Sequence, residues 1–564
     1  MSAPERFPGP VVPGLLEQVA ELSRRFGLDH RFSRAGGGNS SVKADGVLYI
    51  KPSGVSLGSL TSDALMPLDM QPLLALLNAD PDAGSAAGSE TVMHVAMLAR
   101  LRPVGERRPS VECLFHALIP RRFVLHTHPT IINAVCCARD GSRIADQLFG
   151  DTALWVDYVD PGLPLARAIS NARRRFELRT AGPAPDVVLL QNHGLIVAGD
   201  DAPTVADACL QALQTVCSHL DRLADVPSGA RPRRAARSPG AALGSGTQRR
   251  IDTIGPFLRG ALSTGPRLKV VTFDDSDDAI RLASAAEGRG LVLGGPLMPD
   301  QIVYAGSWPL WLELTAGEER DRVTTTIRVA LADHVQTRGG MPSVVVVKGL
   351  GLFVAGDAAR QAQTTRDVYL DASRTGFGAL RLGGVRALTP DERQFIEGWE
   401  AEAYRRGIEA AESTSGRGRG LVILMTQASE GLGPALAADL VASGAHVVPM
   451  DGHGSLDAVR ALVRSHGGLD LVVSMSPEPL ADHTRNGDAF LAEVARIWAL
   501  QHAARPTCRG AVLEVNPRRT RGSEESEAEI RSLGRRSPAG ITFRAVDPGG
   551  PADLLEAVLA AASA

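Results

Sequence analysis

Cysteine and aromatic residues are scarce in this sequence. The chain of 564 residues has six cysteines, at positions 113, 136, 137, 209, 217 and 508. Their spacing matches neither a metal site nor a disulfide framework, so we expect small core thiols in a reducing cytoplasm. Aromatic residues make up 4% of the chain, and its five tyrosines stand at positions 49, 158, 304, 369 and 404. A reaction that needs a tyrosine therefore has few candidates, and none after position 404.

Long apolar runs and an excess of either charge are also missing. No run approaches the roughly 20 residues that span a bilayer, and the N-terminal MSAPERFPGPVVPG lacks the basic start and apolar stretch of a signal peptide. The formal net charge is −3, so there is no global electrostatic case for binding nucleic acid or a membrane. We expect a cytoplasmic protein with neither of these partners.

The length and two linker-like segments predict three folded regions. A chain this long exceeds one ordinary core. Residues 229–250 are rich in Arg, Pro, Ser, Ala and Gly, and residues 412–420 lie in the similar stretch ESTSGRGRG. The regions that these linkers separate are 1–228, 251–411 and 421–564.

Strand and helix patterns alternate throughout the chain. In the first region, apolar runs such as FVLHTH and VVLLQNH are interleaved with helical patterns such as LLEQVAELSRRFG. Because there is no strict βαβ rhythm, the pattern predicts an α/β fold with a mixed sheet. We expect an appended α/β middle region and a C-terminal Rossmann-like domain, which begins with the strand, turn and helix pattern GLVILMTQASEGLG.

A repeat links the first two regions. PDVVLLQNHGLIVAGD at 185–200 and PSVVVVKGLGLFVAGD at 342–357 share nine of sixteen residues without a gap. Similar strands and glycine turns can arise independently, but we interpret the match as a duplicated structural element. Where the first copy has His193, the second has Leu350. If His193 is a metal ligand, the second copy is not a metal site.

A candidate metal site stands at the end of an apolar strand. In FVLHTHP, the spacing of His126 and His128 places both rings on one face. His193 ends another buried strand. Neutral imidazole is the commonest ligand for zinc and similar metals, and three protein ligands leave a position for substrate. The alternative is two strand-end histidines that bond to the backbone or to water.

A carboxylate precedes the histidine pair. In PSVECLFH, Pro109 and Ser110 suit a helix start, so that Glu112 falls in the first turn. It could simply complement the helix dipole, or serve as a general base beside a cation. His116 lies on the same helical face, and we interpret it as structural.

Two loops could hold an anion. AGGGNSSVK at 35–43 and IKPSG at 50–54 offer free backbone N–H groups with Asn and Ser side chains. Taken alone the signal is weak, because turn-forming glycines need no ligand.

Five motifs in this order, GGGNSSVK, IKPSG, PSVE, HTHP and QNHG, resemble those of the class II aldolase/adducin family, whose familiar members are the fuculose-phosphate aldolases. The similarity covers nearly all of the first region. It implies a class II aldolase-like α/β/α domain and a divalent metal, preferably Zn²⁺, held by His126, His128 and His193. It also implies Glu112 as the acid/base, and a homo-oligomer that is a tetramer in the family.

The resemblance further implies a small-molecule sugar phosphate as substrate. The residues that would bind its phosphate are Gly38, Asn39, Ser53, Gly54 and Ser110. Family aldolases often have a second serine before the glutamate, where this chain has Val111, so one hydroxyl contact is missing. Tyr158 stands where some members have a tyrosine that donates a proton in a neighbouring subunit's site. Its alternative interpretation is an ordinary strand residue.

The reaction implied is the cleavage of a ketose 1-phosphate, such as rhamnulose or fuculose 1-phosphate, to dihydroxyacetone phosphate and an aldehyde. The metal would stabilise the enediolate without a lysine Schiff base. Two alternatives remain. One is epimerisation, decarboxylation or dehydration at the same site, and the other is a non-catalytic, adducin-like scaffold. The intact three histidines and glutamate favour an enzyme.

The third region resembles a degenerate short-chain dehydrogenase. Its position resembles that in bacterial fusions of a rhamnulose-phosphate aldolase with such a dehydrogenase. However, Gln427 replaces the first turn glycine of TGxxxGxG, and LDLVVSMSP replaces the Asn-Asn-Ala-Gly turn. The catalytic Tyr–Lys pair is missing, because no tyrosine follows position 404. We expect a domain without NAD binding or dehydrogenase activity, kept for packing, assembly or regulation.

Overall fold

A computed structural model describes residues 12–78, 88–225, 245–399, 416–450, 455–475, 484–507, 510–515, 541–546 and 551–562, apart from residues 103, 106, 266 and 316. These residues form two compact units. The first comprises the described parts of Met1–Arg233, Gly294–Ser307 and Asp367–Ile408, and the second those of Arg234–Leu293, Trp308–Arg366 and Glu409–Ala564. Most of the predicted linker 229–250, up to residue 244, lies outside the described residues, as does 412–415 of the second linker. Residues 245–250 begin a helix.

Helices and strands alternate along both units. The strands are β1 (Asn39–Ala44), β2 (Val47–Ile50), β3 (Met66–Asp69), β4 (Phe123–Thr127), β5 (Ala153–Val156), β6 (Val187–Leu190), β7 (Gly194–Gly199), β8 (Val270–Asp274), β9 (Leu310–Leu312), β10 (Val344–Val347), β11 (Gly351–Gly356), β12 (Val422–Thr426), β13 (His446–Met450), β14 (Leu471–Ser474), β15 (Gly510–Val515) and β16 (Ile541–Val546).

The helices of the described chain differ widely in length. They are α1 (Val12–Gly27), α2 (Met70–Asn78), α3 (Gly88–Leu98), α4 (Cys113–Leu118), α5 (Thr130–Cys136), α6 (Gly141–Phe149), α7 (Leu163–Thr180), α8 (Ala202–Asp225), α9 (Ser245–Ala261), α10 (Asp277–Ser284), α11 (Gly288–Leu293), α12 (Pro299–Ala305), α13 (Arg320–Arg338), α14 (Ala359–Arg381), α15 (Pro390–Gly398), α16 (Gly433–Ala442), α17 (Leu456–His466), α18 (Thr484–Ala504) and α19 (Pro551–Ala561). None of these helices is both long and apolar enough to cross a membrane.

The first unit is built on a seven-stranded mixed sheet in the order β3-β2-β1-β4-β7-β6-β5. All neighbouring pairs are antiparallel except the parallel pair of β5 and β6. Side chains of β4 alternate between two cores: Phe123 and Leu125 pack with α1 and α8, whereas Val124 packs with α4 and α7. Helices therefore cover both faces, and the predicted α/β/α domain with a mixed sheet is confirmed.

The second unit contains two sheets. One has four strands in the order β8-β11-β10-β9, and the other has five strands in the order β13-β12-β14-β15-β16. Every pair in the five-stranded sheet is parallel. This is the 2-1-3-4-5, flavodoxin-type order of a doubly wound fold, so the predicted α/β class of this region is confirmed.

The sixteen-residue repeat forms the same hairpin twice. β6 and β7 pair antiparallel with Val187 opposite Val197, and β10 and β11 do so with Val344 opposite Val354. The two registers are therefore identical.

Candidate metal centre

The pairing of β4 with β7 brings the three histidines together. His126 lies opposite Ile196 on β7, so that His193, in the turn just before β7, stands beside the end of β4. The Nε2 atom of His126 lies 3.0 Å from Nε2 of His128 and 3.3 Å from Nε2 of His193. The predicted ligand set therefore converges on one point, although His193 stands 67 positions after His126 in the chain.

The hydrogen bonds of two rings indicate which nitrogen atoms face the centre. Nδ1 of His126 donates to the carbonyl oxygen of Leu195 at 2.9 Å, and Nδ1 of His128 contacts the carboxylate of Asp300. When Nδ1 carries the proton, a neutral ring presents a bare lone pair at Nε2. Burial lowers the pKa of His126 to about 3, which keeps this ring neutral.

Converging lone pairs repel one another unless a cation lies between them. The three histidines offer ligand atoms that all lie within 4.8 Å of one another. Nitrogen donors at this spacing suit zinc and similar divalent metals. The group could therefore hold a divalent metal ion.

Glu112 lies against this cluster. It immediately precedes α4, one residue before the helix begins, and its Oε1 atom lies 3.3 Å from Nε2 of His193 and 3.8 Å from Nε2 of His126. Burial alone would raise the pKa of Glu112, but the surrounding imidazoles, among them His193 through a hydrogen bond to the carboxylate, hold the pKa well below its usual value. The carboxylate is therefore ionised and can accept a proton.

A directed chain of hydrogen bonds orients Glu112. The side-chain oxygen of Asn39 accepts from Nε2 of His116, and its amide donates to the Glu112 carboxylate. The other nitrogen of His116 lies 2.7 Å from the Ser41 hydroxyl. Burial keeps the pKa of His116 well below its usual value, so this ring stays neutral. His116 thus holds Asn39, which in turn holds Glu112. This indirect role agrees with the interpretation of His116 as structural.

The predicted anion loops lie at the same end of the sheet. A Cβ atom at Gly38 would lie 2.5 Å from the carbonyl oxygen of His126, so the glycine loop passes directly over β4. The amide of Asn39 lies 3.4 Å from the Ser110 hydroxyl. Ser53, which is followed by Gly54, donates its backbone N–H to the carbonyl oxygen of Arg108 at 3.0 Å. The two loops and the segment before α4 therefore meet beside the histidines.

Tyr158 has contacts of its own after β5. Its hydroxyl lies 3.5 Å from a carboxylate oxygen of Asp160, and the Arg386 guanidinium lies 5.6 Å from the centre of its ring. Burial raises the pKa of Tyr158 well above the usual value, so the hydroxyl keeps its proton.

Sequence reasoning missed two groups that contact the histidine loops. Asp300, on α12, contacts His128, although it stands 172 positions away in the chain. Arg386 donates to the side-chain oxygen of Asn192, beside His193, at 2.6 Å. Neither residue lies in a recognisable motif, because each acts through a contact that exists only in the folded chain.

Comparison with known families agrees with this geometry. Residues 17–218 match the class II aldolase and adducin N-terminal domain, and residues 249–405 match the second domain of class II aldolases. The chain belongs to the class II aldolase/adducin family. The family resemblance predicted from the five motifs is thereby confirmed.

Individual relatives of this chain are distant. An uncharacterized oxidoreductase, YuxG of Bacillus subtilis, is 25% identical over an alignment of 472 residues that covers 78% of this chain and 65% of that protein. The chain thus spans about two thirds of the length of that relative. The N-terminal class II aldolase domain of a conserved Thermoplasma acidophilum protein is 24% identical and aligns with 39% of this chain and 100% of its own, with a TM-score of 0.32. The l-fuculose-1-phosphate aldolase of Thermus thermophilus is 15% identical and aligns with 39% of this chain and 99% of its own, with a TM-score of 0.27.

Proposed function

We propose that this protein is a divalent-metal lyase that cleaves a ketose 1-phosphate, such as rhamnulose or fuculose 1-phosphate, to dihydroxyacetone phosphate and an aldehyde. The observation that carries the proposal is the convergence of His126, His128 and His193, with the Glu112 carboxylate 3.3 Å from the His193 ring, in a class II aldolase domain. The substrate class follows from the resemblance of the five motifs to those of the fuculose-phosphate aldolases.

The three histidines would hold the metal, for which we propose Zn²⁺. Bound there, the cation would act as a Lewis acid that polarises the substrate carbonyl and stabilises the negative charge left by cleavage of the C3–C4 bond. Neutral imidazoles add no charge of their own, so the full charge of the cation acts on the substrate.

Glu112 would move the proton. In the direction of synthesis, its carboxylate would accept a proton from dihydroxyacetone phosphate, and in cleavage it would return that proton to carbon. Asn39 holds one carboxylate oxygen through its amide, which leaves Oε1 on the histidine side. The orientation of the base is therefore set before substrate binds.

The substrate phosphate would be bound by the loops beside the histidines. The residues proposed for this role are Gly38, Asn39, Ser53, Gly54 and Ser110. Tyr158 is our proposed proton donor to the aldehyde oxygen in the direction of synthesis, because its raised pKa keeps the hydroxyl protonated. In cleavage, the C4 hydroxyl would return that proton to the tyrosine as it becomes the aldehyde carbonyl. In an oligomer, this tyrosine would act in the site of a neighbouring subunit.

For the C-terminal domain we propose no short-chain-dehydrogenase chemistry and no NAD binding, although the relative YuxG carries the name oxidoreductase. Support comes from the chain itself, since no tyrosine follows position 404 to exchange a proton with an alcohol. An assay of NAD reduction with candidate aldehydes and alcohols tests this point.

The central test is a retro-aldol assay on a panel of ketose 1-phosphates, with dihydroxyacetone phosphate detected by a coupled reduction. We expect wild-type cleavage to require a stoichiometric divalent metal. Glu112→Gln should lower kcat by about 10²–10⁴-fold, the range for a lost general base, while it retains the metal. His193→Ala should lose both metal and activity.

The metal content separates the possible outcomes of that assay. A bound divalent metal without cleavage of any ketose phosphate would contradict the aldolase and favour epimerisation, decarboxylation or dehydration at the same residues. The absence of a stoichiometric metal would favour a non-catalytic scaffold.

A further inference from the structure

The four-stranded sheet repeats half of the metal-binding sheet. The order β8-β11-β10-β9 corresponds to β4-β7-β6-β5. The first two strands pair antiparallel in both, with Phe123 opposite Gly199 in one and Val270 opposite Gly356 in the other. The helices correspond as well, since α5 follows β4 as α10 follows β8, and α8 follows β7 as α14 follows β11. The duplication thus extends far beyond the sixteen-residue sequence repeat.

The second copy lacks the ligands. β4 begins at 123 and β8 at 270, an offset of 147, whereas β7 begins at 194 and β11 at 351, an offset of 157. With these offsets, the residues that align with the three histidines are Phe273, Asp275 and Leu350. This copy therefore contributes to the chain in some way other than by binding a second metal.

The change of offset marks ten extra residues in the second copy. Helices α6 and α11 begin at 141 and 288, which is still an offset of 147. Strands β5 and β9, the next elements on the sheets, begin at 153 and 310, which is already an offset of 157. The extra residues therefore lie between α11 and β9, where the chain forms α12. This segment, Gly294–Ser307, belongs to the first unit.

Helix α12 contacts His128 and the neighbouring glycine loop through two residues one turn apart. The Asp300 carboxylate contacts Nδ1 of His128, and the Tyr304 hydroxyl accepts a hydrogen bond of 3.1 Å from the Gly36 backbone. The Asp300 and His128 side chains are 10% and 11% exposed, so water competes little for their contact. The absence of a side chain at Gly37 leaves room for the Asp300 carboxylate, because a Cβ atom at Gly37 would lie 2.7 Å from Oδ2 of Asp300.

A second contact holds the turn before His193. The Asn192 side-chain amide donates to the carbonyl oxygens of Leu297 and Arg386 at 2.7 and 2.8 Å. The backbone of Asn192 has a φ of 53°, a left-handed conformation that needs such support. Residues that follow the first copy in the chain therefore make hydrogen bonds that hold His128 and the turn before His193 in place.

We propose that the extra segment of the second copy is an internal support of the metal centre, in which Asp300 is the positioning residue of His128. A carboxylate at Nδ1 fixes the ring orientation and tautomer, aims Nε2 at the metal and increases its basicity. The inference rests on the metal-binding part of the proposed function. It assigns a functional reason to the second aldolase region, which has no ligands of its own.

The test is metal binding by the full-length chain with Asp300→Asn. Metal-free protein is titrated with Co²⁺, whose d–d absorption reports ligand geometry, and with Zn²⁺ against a chelator. We expect about 10–100-fold weaker binding, the range for loss of such a partner, together with a shifted cobalt spectrum. Gly37→Ala disturbs the same contact from the other side and should give the same result, while Asp300→Glu should restore part of the affinity.

The matched control is Asp371→Asn. Asp371 is another carboxylate of the first unit; its side chain is 14% exposed, and it pairs with Arg34 at 2.7 Å. This variant should bind cobalt with wild-type affinity and spectrum. Wild-type binding by both Asp300→Asn and Gly37→Ala would overturn the proposal, and so would an equal loss in Asp371→Asn. Since the measurement is metal binding, a missing aldol cleavage would count against the proposed function alone.

Discussion

At the scale of single residues, the site combines groups that the sequence marks with groups that it does not. His126, His128 and Glu112 are recognisable because strand alternation and a helix start place them by local rules. Asp300 has no such rule, since it meets His128 across 172 positions of the chain. Local patterns predict which face of an element a side chain occupies, but not which distant residue it will contact.

Gly194 lies so close to the metal centre that a larger side chain does not fit. A Cβ atom there would lie 2.5 Å from the carbonyl oxygen of Thr127 and 2.8 Å from Cδ2 of His128. Because backbone must move to admit it, we expect Gly194→Ala to displace the ring and to weaken Zn²⁺ binding. It should also lower the free energy of unfolding by about 1–3 kcal/mol, as overpacking does. Chelator competition and urea denaturation measure the two effects.

The control for this substitution is Gly14→Ala in α1. No atom lies within 4 Å of a Cβ at Gly14, and alanine favours a helix over glycine by up to about 1 kcal/mol. Unchanged metal binding with equal or greater stability is the expected result. If Gly194→Ala behaved in the same way, the close packing around the histidines would not matter for the metal.

At the scale of elements, the hairpin repeat and the turn after β12 show what a pattern can predict. The nine identical residues indicated a duplicated element, and the register of both hairpins is the same. At the turn after β12, glycine would suit a positive φ, and Gln427 does adopt a φ of 50°. The backbone therefore retains the shape of the turn while the side chain has changed.

The end of α17 should make the second unit sensitive to acid. The rings of His446 and His466 lie 5.4 Å apart, and burial, His446 and Arg259 lower the pKa of His466 to about 4. A lowered histidine pKa means that the unfolded chain binds the proton first, so stability falls as the pH drops from about 6.5 towards 4. His466→Gln should remove at most about 2 kcal/mol of this loss, because the half-buried ring keeps part of its hydration.

Urea denaturation of wild type and variant at pH 7 and pH 4.5 measures that difference. His502→Gln is the control, because His502 is exposed in the last turn of α18 and should leave the wild-type profile unchanged. If the free energy of unfolding fell equally with pH in wild type and in His466→Gln, the acid sensitivity would not come from His466.

At the scale of the whole molecule, a buried ion pair joins the four-stranded and five-stranded sheets within the second unit. Arg259, which is fully buried on α9, donates to both carboxylate oxygens of Asp470 at 3.1 and 2.7 Å. Asp470 also accepts the backbone N–H of Val422, the first residue of β12, at 2.8 Å. The ion pair thus links α9, which packs against β8 of the four-stranded sheet, to β12 of the five-stranded sheet.

Arg259→Met should therefore destabilise both sheets together. It leaves the Asp470 carboxylate unpaired in the interior, which costs about 3–5 kcal/mol for a buried pair. In hydrogen exchange, we expect the amides of β8 and β11 to lose protection together with those of β12 and β14. Arg460→Met, which removes an exposed partner of Asp457, should change neither. Loss of protection confined to one sheet would show that the two unfold independently.

The sequence alone determined the fold class, the family and the candidate ligands, because alternation, glycine turns and the order of five motifs are local properties. Tertiary structure decided the rest. It placed Gly294–Ser307 of the middle region in the first unit and brought Asp300 to His128. It also aligned Phe273 and Asp275 with metal ligands in a second copy whose strand order is repeated. Such contacts arise from packing between distant segments, and a linear pattern does not record which surfaces will meet.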